Sequence, residues 1–160
     1  MATVEERQVW METLRQFPAR LEETIRPLSE EQLHQNVAVD PWTVGQIVHH
    51  CADSHINSFV RLKLALTEDR PPLKGYDQDA WVMMADEAER PVEPSLQILR
   101  GLHVRWVQVF EAVQEDEWAR YGMHSESGEM TVEALLSGYH EHCEAHLAQI
   151  GRILEEMNNE

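Results

Sequence analysis

Basic residues are scarce in this chain: 13 Lys and Arg stand against 29 Asp and Glu, a formal net charge of -16 at pH 7. Such a surface repels phosphate backbones and anionic lipid headgroups, which excludes nucleic acid and membranes as expected partners. Long apolar runs are missing too, and the first twenty positions carry Glu5, Glu6, Arg7, Glu12 and Arg15 where a leader would place its apolar block. The expected location is therefore the cytoplasm. Cysteine is limited to Cys51 and Cys143, both inside helical patterns, so no disulfide framework is expected and both read as small core residues. Glycine and proline number 7 each, too few for a loop-built or disordered chain. With 42% hydrophobic residues over 160 positions, the chain suits one domain, residues 1–160, with a core able to enclose a site.

What is present is helical periodicity. Trp10, Leu14, Phe17, Leu21 and Ile25 recur at helical intervals in a first helix, which Pro18 is expected to kink or restart. Ser29 to Gln32 has the capping-box form of a short turn, and Thr43 to Gln46 repeats it ahead of a helix over residues 44–66. That helix buries Val44, Ile47, Val48, Cys51, Phe59, Leu62 and Leu66, and a polar line of His50, Ser54, Asn57 and Arg61 runs beside the stripe. Residues 67–93 form a long connection, with one short helix expected between Tyr76 and Glu87 and Trp81 within it. Ser95 is the expected cap of a third long helix containing Leu96, Leu99, Leu102, His103, Arg105 and Trp106. Residues 115–130 connect onward, with a turn at Ser125 to Gly128 and no alternating strand pattern. Thr131 caps the last helix, residues 131–157. The expectation is an all-α four-helix bundle with its long connection between the second and third long helices.

Nine histidines are more than an acidic domain of this size ordinarily carries. His142 and His146 lie four apart, about 40° around a helix axis, so both rings can reach one atom. Six residues before His146, His140 points elsewhere. The same spacing also occurs in helices that bind nothing, so a third donor from another helix is needed. His50 is the best candidate, beside the core stripe, with His103 the rival. Three imidazoles leave a divalent ion one or more positions open, the catalytic arrangement, in which the ion lowers the pKa of a bound water or thiol. Asp53, Glu141 and Glu144 are candidate acceptors for the outer ring N–H groups, with His103 a further neighbour.

The segments Trp42-Thr43-Val44-Gly45-Gln46-Ile47-Val48-His49-His50 and Ala52-Asp53-Ser54-His55-Ile56-Asn57-Ser58-Phe59-Val60-Arg61 resemble the first metal-site helix of the DinB superfamily, in its YfiT-like branch. Leu66-Thr67-Glu68, Tyr76-Asp77, Ala80-Trp81, Leu102-His103, Arg105-Trp106 and the terminal His142 and His146 extend the resemblance over nearly the whole chain. It implies a four-helix bundle, a homodimer, and zinc or nickel held by His50, His142 and His146. It also implies a metal-dependent hydrolase, or an S-transferase in which the ion activates a low-molecular-weight thiol such as bacillithiol against a small electrophilic substrate. Ser54, Asn57, Arg61, Tyr76, Trp81 and Arg105 are the substrate-binding candidates, the two arginines as partners for an anionic thiol. Where such relatives carry a denser histidine run, this chain has Cys143-Glu144-Ala145, so the residues around the ligands differ. The alternative is a non-catalytic metal-binding stress-response dimer.

Overall fold

The computed structural model describes all residues except 88, 89 and 160. Four long helices carry it: α1 (Val4–Ile25), α3 (Val44–Thr67), α5 (Glu93–Glu111) and α6 (Val132–Asn159), with single turns α2 (Glu30–Leu33) and α4 (Gln78–Trp81) between them. Helices α1 and α3 each pack against both α5 and α6, so the core lies where the four apolar faces meet. Leu14, Phe17, Leu21, Ile47, Val48, Leu99, Trp106, Phe110, Leu136 and Ile150 are buried there. None of the described helices is long and apolar enough to cross a membrane.

Both expected capping boxes form, and they fix where the site helix begins. Thr43 Oγ1 accepts the Gln46 amide at 3.2 Å while Gln46 Oε1 accepts the Thr43 amide at 3.0 Å. Removing the hydroxyl in Thr43→Ala should cost about 1 kcal/mol, seen as a melting temperature lower by roughly 2–4 °C. An unchanged melting temperature would show that tertiary packing alone sets this start.

Four local expectations are corrected. Helix α1 does not restart at Pro18; it runs through it to Ile25. Helix α5 starts at Glu93, ahead of Ser95, because Pro94 in the first turn needs no amide partner and already has a helical φ. Ser95 instead faces inward, where its hydroxyl meets His49 Nδ1 at 2.7 Å. The expected helix between Tyr76 and Glu87 shrinks to Gln78–Trp81, capped by Asp77, while Met83 and Met84 lie exposed with no face to bury. Lastly, strands do form: β1 (Pro72–Leu73) pairs parallel with β2 (Tyr121–His124), which pairs antiparallel with β3 (Gly128–Thr131). Their pattern escapes detection because the buried positions of β2 are Gly122 and His124, not apolar residues. Glycine is required at 122, where an added Cβ would stand 2.6 Å from the Leu73 side chain. The turn at Ser125 to Gly128 is as expected, with Gly128 at φ +75° closing the hairpin.

Candidate metal centre

Helix α3 contributes His50 and helix α6 contributes His142 and His146 to one cluster. His142 Nε2 lies 3.3 Å from His50 Nε2 and 3.1 Å from His146 Nε2, and one ring nitrogen from each residue falls within 4.8 Å of the others. Nitrogens arranged tetrahedrally around zinc at its usual bond length sit about 3.3 Å apart. The donor separation therefore suits such an ion.

Protonation and tautomer point the same way. Burial first, and facing His146 second, push His50 down to about 4. Burial with both neighbouring rings pushes His142 well below the usual imidazole range, and burial lowers His146 as well. All three rings are thus neutral at neutral pH, and each carries one ring proton. Gln149 donates its amide N–H to Asp40 Oδ2 at 2.9 Å, which turns its carbonyl oxygen toward His146 Nδ1 at 2.7 Å. His146 therefore keeps its proton on Nδ1 and its lone pair on Nε2. On His142, Nδ1 meets His55 Nε2 at 3.2 Å, while Nε2 faces Ser54 Oγ at 3.3 Å. The cluster turns three Nε2 atoms toward one another, an arrangement that suits a cation between them.

Around the cluster, Tyr139 donates its hydroxyl to the Ser54 carbonyl at 3.0 Å and meets Ser54 Oγ at the same distance. The Trp42 ring packs on His50 with centroids 4.8 Å apart. Asn57, Tyr76 and Trp81 line a cavity of about 970 Å³ together with Lys74 and Glu126. Tyr76 and Trp81 stack at 4.2 Å. Burial pushes the Tyr76 hydroxyl up to about 12. Arg61 is buried on the same face of α3 and donates to the Lys74 carbonyl at 2.5 Å.

Other candidates are placed elsewhere. Arg105 lies over the Phe59 ring at 5.3 Å, in a separate groove with Lys63, Gln108 and Glu117, because it stands about 200° around α5 from His103. Asp53 lines a separate groove with Glu87, whose carboxyl is pushed up to about 8 by burial first and by Asp53 next. Glu144 pairs with Arg20, one of its bonds measuring 2.9 Å, and Glu141 is exposed. His103 is not beside the ligands but one ring further out, behind His55. His140 bonds Thr13 Oγ1 at 2.8 Å, away from the cluster. Both cysteines are buried free thiols whose pKa burial raises, which makes them poor ligands. Sequence reasoning missed His55, Tyr139, Gln149 and Asp40. Only Gln149 had a local signal, its position three residues after His146 on the same helical face.

A four-helix bundle that gathers three neutral imidazoles from two of its helices defines a class: a helical scaffold built around an interior donor set. The chain belongs to the DinB superfamily, whose sequence model matches residues 13–150. A relative from Bacillus mycoides is 36% identical over 149 residues, covering 93% of this chain and 86% of its own, and is provisionally named a metal-dependent hydrolase. The solved structure of YfiT from Bacillus subtilis, described as a probable metal-dependent hydrolase with an unusual four-helix bundle topology, superposes with a TM-score of 0.94 at 32% identity, covering 99% of this chain and 91% of that one. The mycothiol-dependent maleylpyruvate isomerase shares the fold at a TM-score of 0.73 and 12% identity, over 94% of this chain and 64% of that one.

Proposed function

We propose that this chain is a metal-dependent enzyme in which His50, His142 and His146 hold a zinc or nickel ion, and that a thiol cofactor or water attacks a small electrophile there. The observation that carries this reading is the convergence of three Nε2 atoms, two of them on rings whose Nδ1 meets a partner on the far side. A divalent ion with three protein donors keeps a position free and lowers the pKa of water or thiol bound there. The chain's own residues supply the surroundings. Ser54, 3.3 Å from His142 Nε2, offers a hydroxyl to a reactant beside the donors, and the cavity that Tyr76 and Trp81 line reaches α3 one turn further on, at Asn57. In the transfer reaction a carbon–sulfur bond forms, the thiol proton passes to solvent, and the leaving group departs with its electron pair; hydrolysis replaces sulfur by oxygen. The thiol named by the isomerase of the same fold is in keeping with the first version, and the relatives' names with the second.

Arg61 favours an anionic reactant. Two arginines are buried among the described residues: Arg7 is paired with Glu115 and Glu133, whereas Arg61 has only a backbone carbonyl. A buried guanidinium without a carboxylate is costly unless a ligand brings the missing charge. In Arg61→Ala the KM for a carboxylated thiol should rise about 10–100-fold, the worth of one charged hydrogen bond, while a neutral thiol is unaffected. Equal effects on both would remove the charge argument. The reading as a whole is tested by screening thiols and simple esters against model electrophiles, with and without added zinc or nickel. Turnover that needs the metal and disappears in His146→Ala is expected, and no turnover with the metal bound would leave the non-catalytic reading in possession.

A further inference from the structure

Behind His142 the histidines continue in a row that crosses the bundle. His142 Nδ1 meets His55 Nε2 at 3.2 Å, His55 Nδ1 meets His103 Nε2 at 2.8 Å, and His103 Nδ1 meets the Leu14 carbonyl at 2.5 Å. The three rings stand on α6, α3 and α5, and the carbonyl belongs to α1, so all four long helices contribute one member each. His55 is fully buried and His103 is 2% exposed.

The direction of every bond in it follows from its last member. A carbonyl oxygen only accepts, so His103 carries its proton on Nδ1 and presents a lone pair at Nε2. His55 must then donate from Nδ1, which leaves its own Nε2 as an acceptor. His142 in turn donates from Nδ1, and its Nε2 is left with the lone pair that faces His50 and His146. One oxygen on α1 thus decides which nitrogen of a ring on α6 can bind an ion. That oxygen is free for a reason visible in the sequence: in a helix the Leu14 carbonyl would accept the amide of residue 18, and residue 18 is proline, which has none. The proline inside α1 thus leaves an acceptor at the bundle centre, and His103 takes it.

We infer that His55 and His103 are positioning residues which hold His142 in the Nδ1–H tautomer, with the Leu14 carbonyl released by Pro18 as the anchor of the row. The inference rests on the reading above only in taking His142 as a metal donor. A histidine ligand needs an acceptor behind it to fix its ring and tautomer, and losing that acceptor typically costs about 10–100-fold in metal affinity. Here the acceptor is another neutral ring, which can serve only because a third ring and a carbonyl fix its orientation.

The competing account is that both rings are packing residues, since Phe17 lies against each, 5.1 Å from His55 and 5.5 Å from His103. Long-range proton–nitrogen NMR correlation on the metal-free full chain with ¹⁵N-labelled histidine separates the two. Wild type should show His55, His103 and His142 all as Nδ1–H tautomers. His103→Phe keeps the packing volume and removes the acceptor, so His55 and His142 should become tautomer mixtures and zinc affinity should fall about 10–100-fold. His103→Gln, whose side-chain oxygen can accept from His55 Nδ1, should restore the His142 tautomer and most of the affinity. An Nε2–H tautomer at His142 in wild type overturns the inference, with or without a well-folded variant. So does a His103→Phe protein whose His142 tautomer and zinc affinity match wild type. If wild type shows the three tautomers yet binds no zinc, the enzyme reading fails and the row stands.

Discussion

Replacing His142 by alanine is expected to abolish the response of this protein to zinc. The substitution deletes one of three donors and strands a second, since His146 Nε2 then lacks its 3.1 Å neighbour. It also leaves His55 Nε2 with nothing to accept from, inside a fully buried ring. Wild type at a zinc concentration about 100-fold above its dissociation constant gains roughly 2.7 kcal/mol of stability. In a domain of this length that gain is a rise in melting temperature of about 5–11 °C. In His142→Ala the rise should vanish, together with any metal-dependent turnover. His140→Ala is the control on the same helix: its ring bonds Thr13, so it should lose about 1 kcal/mol and keep the full zinc response. A His142→Ala protein that binds zinc as wild type does would remove this residue from the donor set.

Much of this arrangement is legible in the residues, and the limits are physical. The starts of α3 and α6 follow from Thr43 and Thr131, because a capping hydroxyl acts within one turn and leaves its mark locally; Thr131 Oγ1 accepts the Ala134 amide at 3.0 Å. The spacing of His142 and His146 is likewise a local fact about one helix. The bundle itself follows from apolar stripes long enough for their period to be counted. The three strands are too short for that, four residues at most, and β1 is held by a partner about fifty positions away. His55 could not be assigned from its own helix. It lies five residues from His50, about 140° around the axis, and its role depends on α5 and α1 arriving behind it. Asp53 and Arg105 failed for the converse reason: each lies near a site residue in sequence, but the rotation of its helix carries it to another surface.

Acid should destabilise the metal-free protein above the ordinary carboxylate range, and His103 shows why. Its ring is enclosed by His55, Phe17, Trp106 and the Leu14 carbonyl. The charged groups along the neighbouring groove, Arg15, Glu22, Arg100 and Glu111, are engaged with one another. Burial pushes His103 down to about 4, partly offset by the bond to Leu14, against an unfolded value of about 6.5. Between these two values the unfolded chain binds a proton that the folded chain refuses, so stability rises with pH. The contribution is complete above the unfolded value and is lost as pH falls through the folded one. Its full size is about 3 kcal/mol. In urea titrations from pH 7 to pH 4, metal-free wild type should therefore lose about 3 kcal/mol more than His103→Leu, which has no proton to take up there. The lowered carboxyls of Glu12, Glu93 and Glu144 titrate in both proteins and cancel in the comparison. Parallel stability curves for the two would mean that His103 takes up its proton in the folded core as readily as in the unfolded chain, and a ring that does so gives up the Nε2 lone pair that accepts from His55.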